Sequence, residues 1–208
     1  MSSNGKQRSR QRPRVHLRTL GCPKNEIDSE KLAAMLSEAG AVIVSDPREA
    51  DTIIVNTCGF IEPAKEESID TVLELAQLKQ EGRCRRLIVT GCLAERYQKE
   101  MRGQLAEADE IIGLNPAAVV AAVTGRIPRT RQWHEPPTRF RFSPPHWAYL
   151  RISEGCNNRC AYCAIPLIRG SLRSRPKKEI LAEARLLVNA GARELCLVAQ
   201  DVTAYGLD

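Results

Sequence analysis

The feature that most constrains this chain is an alternation. Between residues 15 and 125, five short runs of β-branched and aliphatic residues interleave with four longer stretches of helical period. The strand-like runs are VHLRTL (15–20), AVIV (41–44), DTIIVNT (51–57), RLIVTG (86–91) and DEIIG (109–113). The helical stretches are 25–40, which ends at Gly40; 62–82, with Pro63 in its first turn and Gly82 past its end; 94–101; and 115–125. Met35 and Leu36 fall on the apolar face of the first helix and are core. Such alternation predicts a parallel α/β sheet.

The pattern then breaks. Residues 126–145, RIPRTRQWHEPPTRFRFSPP, hold five prolines and no apolar period, which makes them a linker or an extended wrapping segment. A second unit follows, with a strand at 147–153, a cysteine-bearing loop, a helix at 177–191 and a strand at 194–200. One βαβ unit cannot cover both faces of its sheet, and a closed eight-stranded barrel needs about 200 residues or more. This half is therefore expected to be the start of something larger, truncated here.

Composition narrows the class. Hydrophobic residues make up 43% of 208, enough for a real core. No apolar run approaches the ~20 residues that span a bilayer, and MSSNGKQRSRQRPR lacks the apolar heart of a signal peptide. A membrane role is not expected. The compartment expected is the cytosol, where thiols stay reduced and clustered cysteines indicate metal or catalysis. The net charge of +6 is uneven: residues 1–14 carry +5 and residues 125–147 carry +4, leaving −3 for the rest. A basic tail and linker can contact RNA or a ribosomal surface, or be simply solvated.

The eight cysteines divide by position. Cys22, Cys58 and Cys92 each follow the carboxyl end of a predicted strand, and a glycine adjoins each: Gly21, Gly59 and Gly91. In a parallel sheet those ends share one edge, where ligands bind, and glycine lets the backbone approach a bulky group. The three thiols suit a metal centre with one open position, or are ordinary buried thiols. Cys84 precedes its strand and Cys196 lies within one, so both are structural. Cys156, Cys160 and Cys163 form C-x3-C-x2-C in the loop after the first strand of the second unit. A 4Fe-4S cluster held by three cysteines fits this spacing; a zinc knuckle with a distant fourth ligand is the alternative.

C-x3-C-x2-C with Tyr162 ahead of its third cysteine resembles the signature of radical S-adenosylmethionine enzymes. The upstream domain with Cys22, Cys58 and Cys92 is similar to that of the methylthiotransferases. TLGCPKNEIDSE (19–30), FIEPAKEES (60–68), YLRISEGCNNRCAYCAIPLIRG (149–170) and AQDVTAYG (199–206) resemble the branch acting on ribosomal protein S-twelve. The resemblance implies a basic disordered tail (1–13), a methylthiotransferase amino-terminal α/β domain (14–125), a Pro/Arg-rich linker (126–145) and the start of a radical SAM (β/α) barrel (146–208). It implies two 4Fe-4S clusters, one on Cys22, Cys58 and Cys92 and one on Cys156, Cys160 and Cys163.

By the same resemblance the second cluster binds S-adenosyl-L-methionine, with Tyr162, Gln200 and Asp201 as contacts. The implied reaction starts with a 5′-deoxyadenosyl radical that takes hydrogen from the β-carbon of an aspartate on the ribosomal protein. A methylated sulfur is then delivered from the first cluster. The alternatives are the same chemistry on a tRNA adenosine and, in another class, a zinc-stabilised nucleic-acid-binding module. Arg169, Arg173 and Arg175 are candidates to neutralise the cofactor carboxylate or an acidic substrate. Asn25 and Asn56 are candidates to line the sulfur site. Neither a reductant nor a sulfur donor is indicated.

Overall fold

The computed structural model describes residues 12–81, 83–126 and 139–208. The basic tail up to residue 11, and residues 127–138 of the proline-rich linker, lie outside the described residues.

The first unit runs β1 (Arg14–Thr19), α1 (Pro23–Glu38), β2 (Val42–Ile43), β3 (Thr52–Thr57), α2 (Glu62–Glu81), β4 (Arg86–Gly91), α3 (Cys92–Gln104), β5 (Glu110–Ile111) and α4 (Pro116–Thr124). Its five strands are all parallel, in the order β2-β1-β3-β4-β5. Side chains alternate across the sheet, as a strand's period of two requires. Ile53, Val55, Leu87 and Val89 pack with Val72, Leu75 and Met101 from α2 and α3. Ile54 and Ile88 face the other way, onto Leu32, Leu36, Val119 and Val120 from α1 and α4.

Every residue of β3 is buried, and each fully buried Ile or Val there contributes about 1.5–3 kcal/mol. Local chemistry sets the helix limits. Pro116 opens α4 behind Asn115, whose side chain accepts from Ala118 N at 3.1 Å, and Gly125 closes it at φ 67°.

This strand order has one reversal. β2 lies on one side of β1 and β3 on the other, so α1 covers one face while α2 covers the opposite face. β1 and β3 are therefore where the two connections part to opposite faces, the switch point at which sheets of this kind bind ligands.

The second unit contains β6 (Trp147–Arg151), β7 (Ser153–Glu154), α5 (Ile165–Arg169), β8 (Arg173–Ser174), α6 (Lys177–Asn189) and β9 (Glu194–Val198). β6 and β9 pair in parallel, and α6 lays Leu187 against Ala148, Leu150 and Ala192. β7 and β8 form a short antiparallel pair that pinches the base of the cysteine segment. Leu186, Val188 and Leu197 stay exposed, because one βαβ unit has too few layers to cover them.

The units meet largely through charge. Arg139, just past the linker's undescribed part, is buried between α1 and α6. Its guanidinium pairs with Glu30 and with Glu183 (3.0 Å) and donates to Tyr149 O (2.6 Å). Arg175 pairs with Glu183 at 2.6 Å and donates to Arg151 O at 2.6 Å. The described end of the linker, residues 139–145, is thus tied to both units. Its positive charge is partly internal: Arg141 also donates inward, to Pro144 O and Trp147 O.

Candidate metal centres

The first three cysteines follow the carboxyl ends of β1, β3 and β4. Cys22 is the residue before α1, in extended conformation, and Pro23 starts the helix. Cys58 follows β3, and Cys92 is the first residue of α3, directly after β4. Cys22 is exposed, whereas Cys58 and Cys92 are buried. Two of the three therefore sit where helix amino ends place partial positive charge, which favours thiolates.

Glycine is required between them. Gly21 has φ +90°, and a Cβ there would lie 2.7 Å from Cys58 Cβ and 2.9 Å from its Sγ. A Cβ on Gly59 would lie 2.7 Å from Leu93 Cα. Ser68 on α2 pins Cys58 from behind: its hydroxyl accepts from Cys58 N and faces Cys58 O, both at 3.0 Å.

Asn25 and Arg169 complete this site. The Asn25 amide donates both protons to backbone carbonyls at the strand ends, Leu20 O and Thr57 O, each at 2.9 Å. Its Oδ1 is thereby turned to Cys92, whose Sγ lies 3.5 Å away. Arg169 Nη2 donates to Asn25 Oδ1 at 2.8 Å and to Cys92 Sγ at 3.2 Å. Burial pushes the Cys92 thiol up to about 11, with the Arg169 guanidinium pulling the other way and Asp28 and Cys22 adding to the rise. Asn56 plays a supporting part. Its Nδ2 donates to Asn25 O and Ser29 Oγ, both at 2.9 Å, and its Oδ1 sits where a Cβ on Gly91 would fall.

The second trio lies on a loop closed at its neck. Gly155 has φ +72°, and a Cβ there would meet Ser171 O at 2.0 Å, so only glycine fits. Cys156 N donates to Gly170 O at 3.1 Å, and Asn157 Oδ1 accepts from Leu172 N at 2.9 Å. Within the loop Asn158 N points at Cys156 Sγ (3.4 Å), and Cys163 N donates to Cys160 O (3.1 Å). Asn158 Nδ2 also reaches Asp201 Oδ2 at 3.1 Å, so the end of β9 is tied to the loop. Bonds from Thr203 and Asn158 hold the Asp201 carboxyl below its ordinary range.

Gln200 lies beside Asp201 and is half-buried. Tyr162 is 88% exposed, so its ring is not packed beneath the loop.

The two trios share a boundary. Ala164, the residue after Cys163, and Ile168 on α5 pack with Leu114 and Cys92 in one apolar cluster. Arg169 thus has a different use from the one expected: it is buried against the first trio. Arg175 is buried against Glu183. Cys84 is buried in the core of the first unit, and Cys196 sits on β9 with its Sγ 3.4 Å from Glu194 Oε1.

Sequence reasoning missed Ser68, Asp28, Glu154 and Asn158. A signal existed for Asp28: with Asn25 and Ser29 it makes a polar stripe at helical spacing on α1.

Among the described residues, no three or more His, Cys, Asp or Glu side chains are gathered closely enough to hold a single metal ion. A cubane takes each thiolate on a different iron and so needs a wider spread. The pinched loop and the soft, all-cysteine donor sets suit such a group. No helix among the described residues is long and apolar enough to cross a membrane.

Comparison with known proteins agrees with this layout. Residues 14–113 match uncharacterized protein family UPF0004, and residues 150–207 match the radical SAM superfamily. The chain is 50% identical over 203 residues to a ribosomal protein uS12 methylthiotransferase, RimO, of Anaeromyxobacter sp. (strain Fw109-5), covering 94% of this chain and 43% of that protein. It is 48% identical over 211 residues to the Geobacter sulfurreducens protein of the same name, covering 96% of this chain and 47% of that one. The chain thus spans less than half the length of these relatives. In fold it resembles the radical S-adenosylmethionine methyltransferase TsrM of Kitasatospora setae. That match has a TM-score of 0.55 at 12% identity, over 91% of this chain and 48% of the other.

Proposed function

We propose that this chain belongs to the radical S-adenosylmethionine methylthiotransferase family, a reading supported by its two family matches and its relatives, and that it carries the two 4Fe-4S clusters of a cytoplasmic enzyme that modifies ribosomal protein uS12. The reaction is addition of a methylthio group to the β-carbon of an aspartate. Cys22, Cys58 and Cys92 hold one cluster on the 14–125 domain. Cys156, Cys160 and Cys163 hold the other on the 146–208 unit, with Tyr162, Gln200 and Asp201 beside the bound S-adenosylmethionine. When bound, these groups supply one-electron chemistry able to break an unactivated C–H bond, and a sulfur to transfer.

The chain's own residues do the positioning. Gly155 and Gly170 close the loop that carries Cys156, Cys160 and Cys163. Asn158 links that loop to Asp201, whose oriented carboxylate would meet the amino group of S-adenosylmethionine. Ser68 and Asn25 fix Cys58 and the surroundings of Cys92. The observation that supports the reading best is the shared cluster of Cys92, Ala164 and Ile168. On this reading the sulfur-donating and radical-generating sites are neighbours, as two steps on one substrate carbon demand.

Anaerobic reconstitution of the full-length protein tests this. Iron and sulfide should reach the content of two cubanes. Cys92→Ala should remove about half of it while S-adenosylmethionine cleavage persists in part, and Cys84→Ala should leave the iron intact. Mass spectrometry of ribosomal protein uS12 from cells lacking the gene should show a missing methylthio group. An unaltered ribosomal protein with the group missing from tRNA instead would overturn the substrate assignment.

A further inference from the structure

Arg169 carries a guanidinium from α5 into the first cysteine site, beside the apolar contact that Ile168 makes with Cys92. It stands at the end of α5, is 6% exposed, and makes five polar contacts. Nη1 donates to Asp28 Oδ2 (2.9 Å) and to Glu154 Oε1 and Oε2 (3.3 and 3.4 Å). Nη2 donates to Asn25 Oδ1 (2.8 Å) and Cys92 Sγ (3.2 Å). Asp28 and Glu154 are also shared with Arg151, at 2.6 and 2.7 Å. Two carboxylates and two guanidiniums therefore close a neutral square, and Arg169 directs its remaining edge out of that square at Cys92.

We propose that Arg169 is a positioning residue for the first cysteine trio: its guanidinium, locked by Asp28 and Glu154, fixes the Cys92 sulfur and turns a charge-assisted N–H donor onto it. The proposal rests on the reading of Cys92 as a cluster ligand. Three thiolates bring three negative charges to this site, and the one that Arg169 touches, Cys92, is buried. A cation in such a place acts with little screening, and second contacts of this kind orient ligands and tune the centre they hold. Lysine cannot replace it fully, since a point charge lacks the planar fork that engages two partners on each side.

The test uses the full-length protein with Cys156, Cys160 and Cys163 all changed to Ala, so that any cluster sits on the first trio. Iron and sulfide are counted, and the midpoint potential is measured by a dye-mediated titration followed by electron paramagnetic resonance. Arg169→Gln should lower that potential, or shed the cluster, and Arg169→Lys should restore the potential in part. Arg175→Gln is the control, because Arg175 is equally buried but pairs with Glu183 instead of the trio; it should change neither property.

An unchanged potential and full iron in Arg169→Gln would overturn the proposal. So would an equal shift or equal iron loss in Arg175→Gln, which would reduce Arg169 to a general tether. A parent protein that takes up no iron on the first trio would overturn the two-cluster reading itself, before any Arg169 variant is compared.

Discussion

The five-stranded sheet and the two-stranded one differ in what holds them. In the first, β3 and β4 are covered on both faces and contribute apolar side chains to two separate cores. In the second, β9 has one partner among the described residues, and Leu197 in it is 55% exposed. What ties the second unit to the first is mainly a set of buried ion pairs: Arg139 with Glu30 and Glu183, Arg151 with Asp28, and Arg169 with Asp28. Cohesion within the first unit is thus hydrophobic and tolerant of pH, while cohesion between units is electrostatic and depends on every partner being present.

Three experiments sharpen or break that contrast. The largest effect is expected from Arg139→Ala, which leaves Glu30 and Glu183 buried without it. Breaking a buried pair in this way costs about 3–5 kcal/mol, read by chemical denaturation; a loss under about 1 kcal/mol would show this tie to be incidental.

Next comes a matched pair of truncations. Ile54→Ala in β3 should cost about 2–5 kcal/mol, whereas Leu197→Ala in β9 should stay within about 0.5 kcal/mol, as for surface positions. Equal losses would mean that the two sheets are held alike.

The smallest effect is with acid. Burial works against the Glu183 carboxylate, but Lys31, Arg175 and Arg139 hold it below its ordinary value. A depressed carboxyl contributes stability that is full above its unfolded value, about 4.3, and is lost as pH falls through the lower folded one. Trp147 fluorescence on β6 should therefore report loosening of the second unit below about pH 4, before far-ultraviolet circular dichroism reports loss of the first. Coincident transitions would remove the distinction. At the alkaline end, burial and then Arg151 push Lys31 down to about 8. Its contribution therefore becomes more favourable as pH rises from that value toward the unfolded one.

Much of this was legible in the sequence where a short window carries the physics. The run at 51–57 met β3 within one residue, and the 62–82 stretch met α2, because composition and a proline or glycine set their limits. Sheet order was not legible: which strand neighbours β1 depends on how helices pack over both faces. α5 was missed because five residues with a proline near the start show no period, and β7 and β8 are too short to carry any alternation. The positions of Cys22, Cys58 and Cys92 at strand ends were readable. The destination of Arg169 was not, since its partners Asp28, Asn25 and Cys92 lie 77 to 144 residues away in sequence.

α5 has a consequence of its own. It is five residues long, follows closely on the third cysteine of one loop, and ends on a side chain touching the other trio. Were either site to shift α5 on filling, thermodynamic reciprocity would require the other site to feel that filling by the same free energy, so that occupancy of one would report on the other.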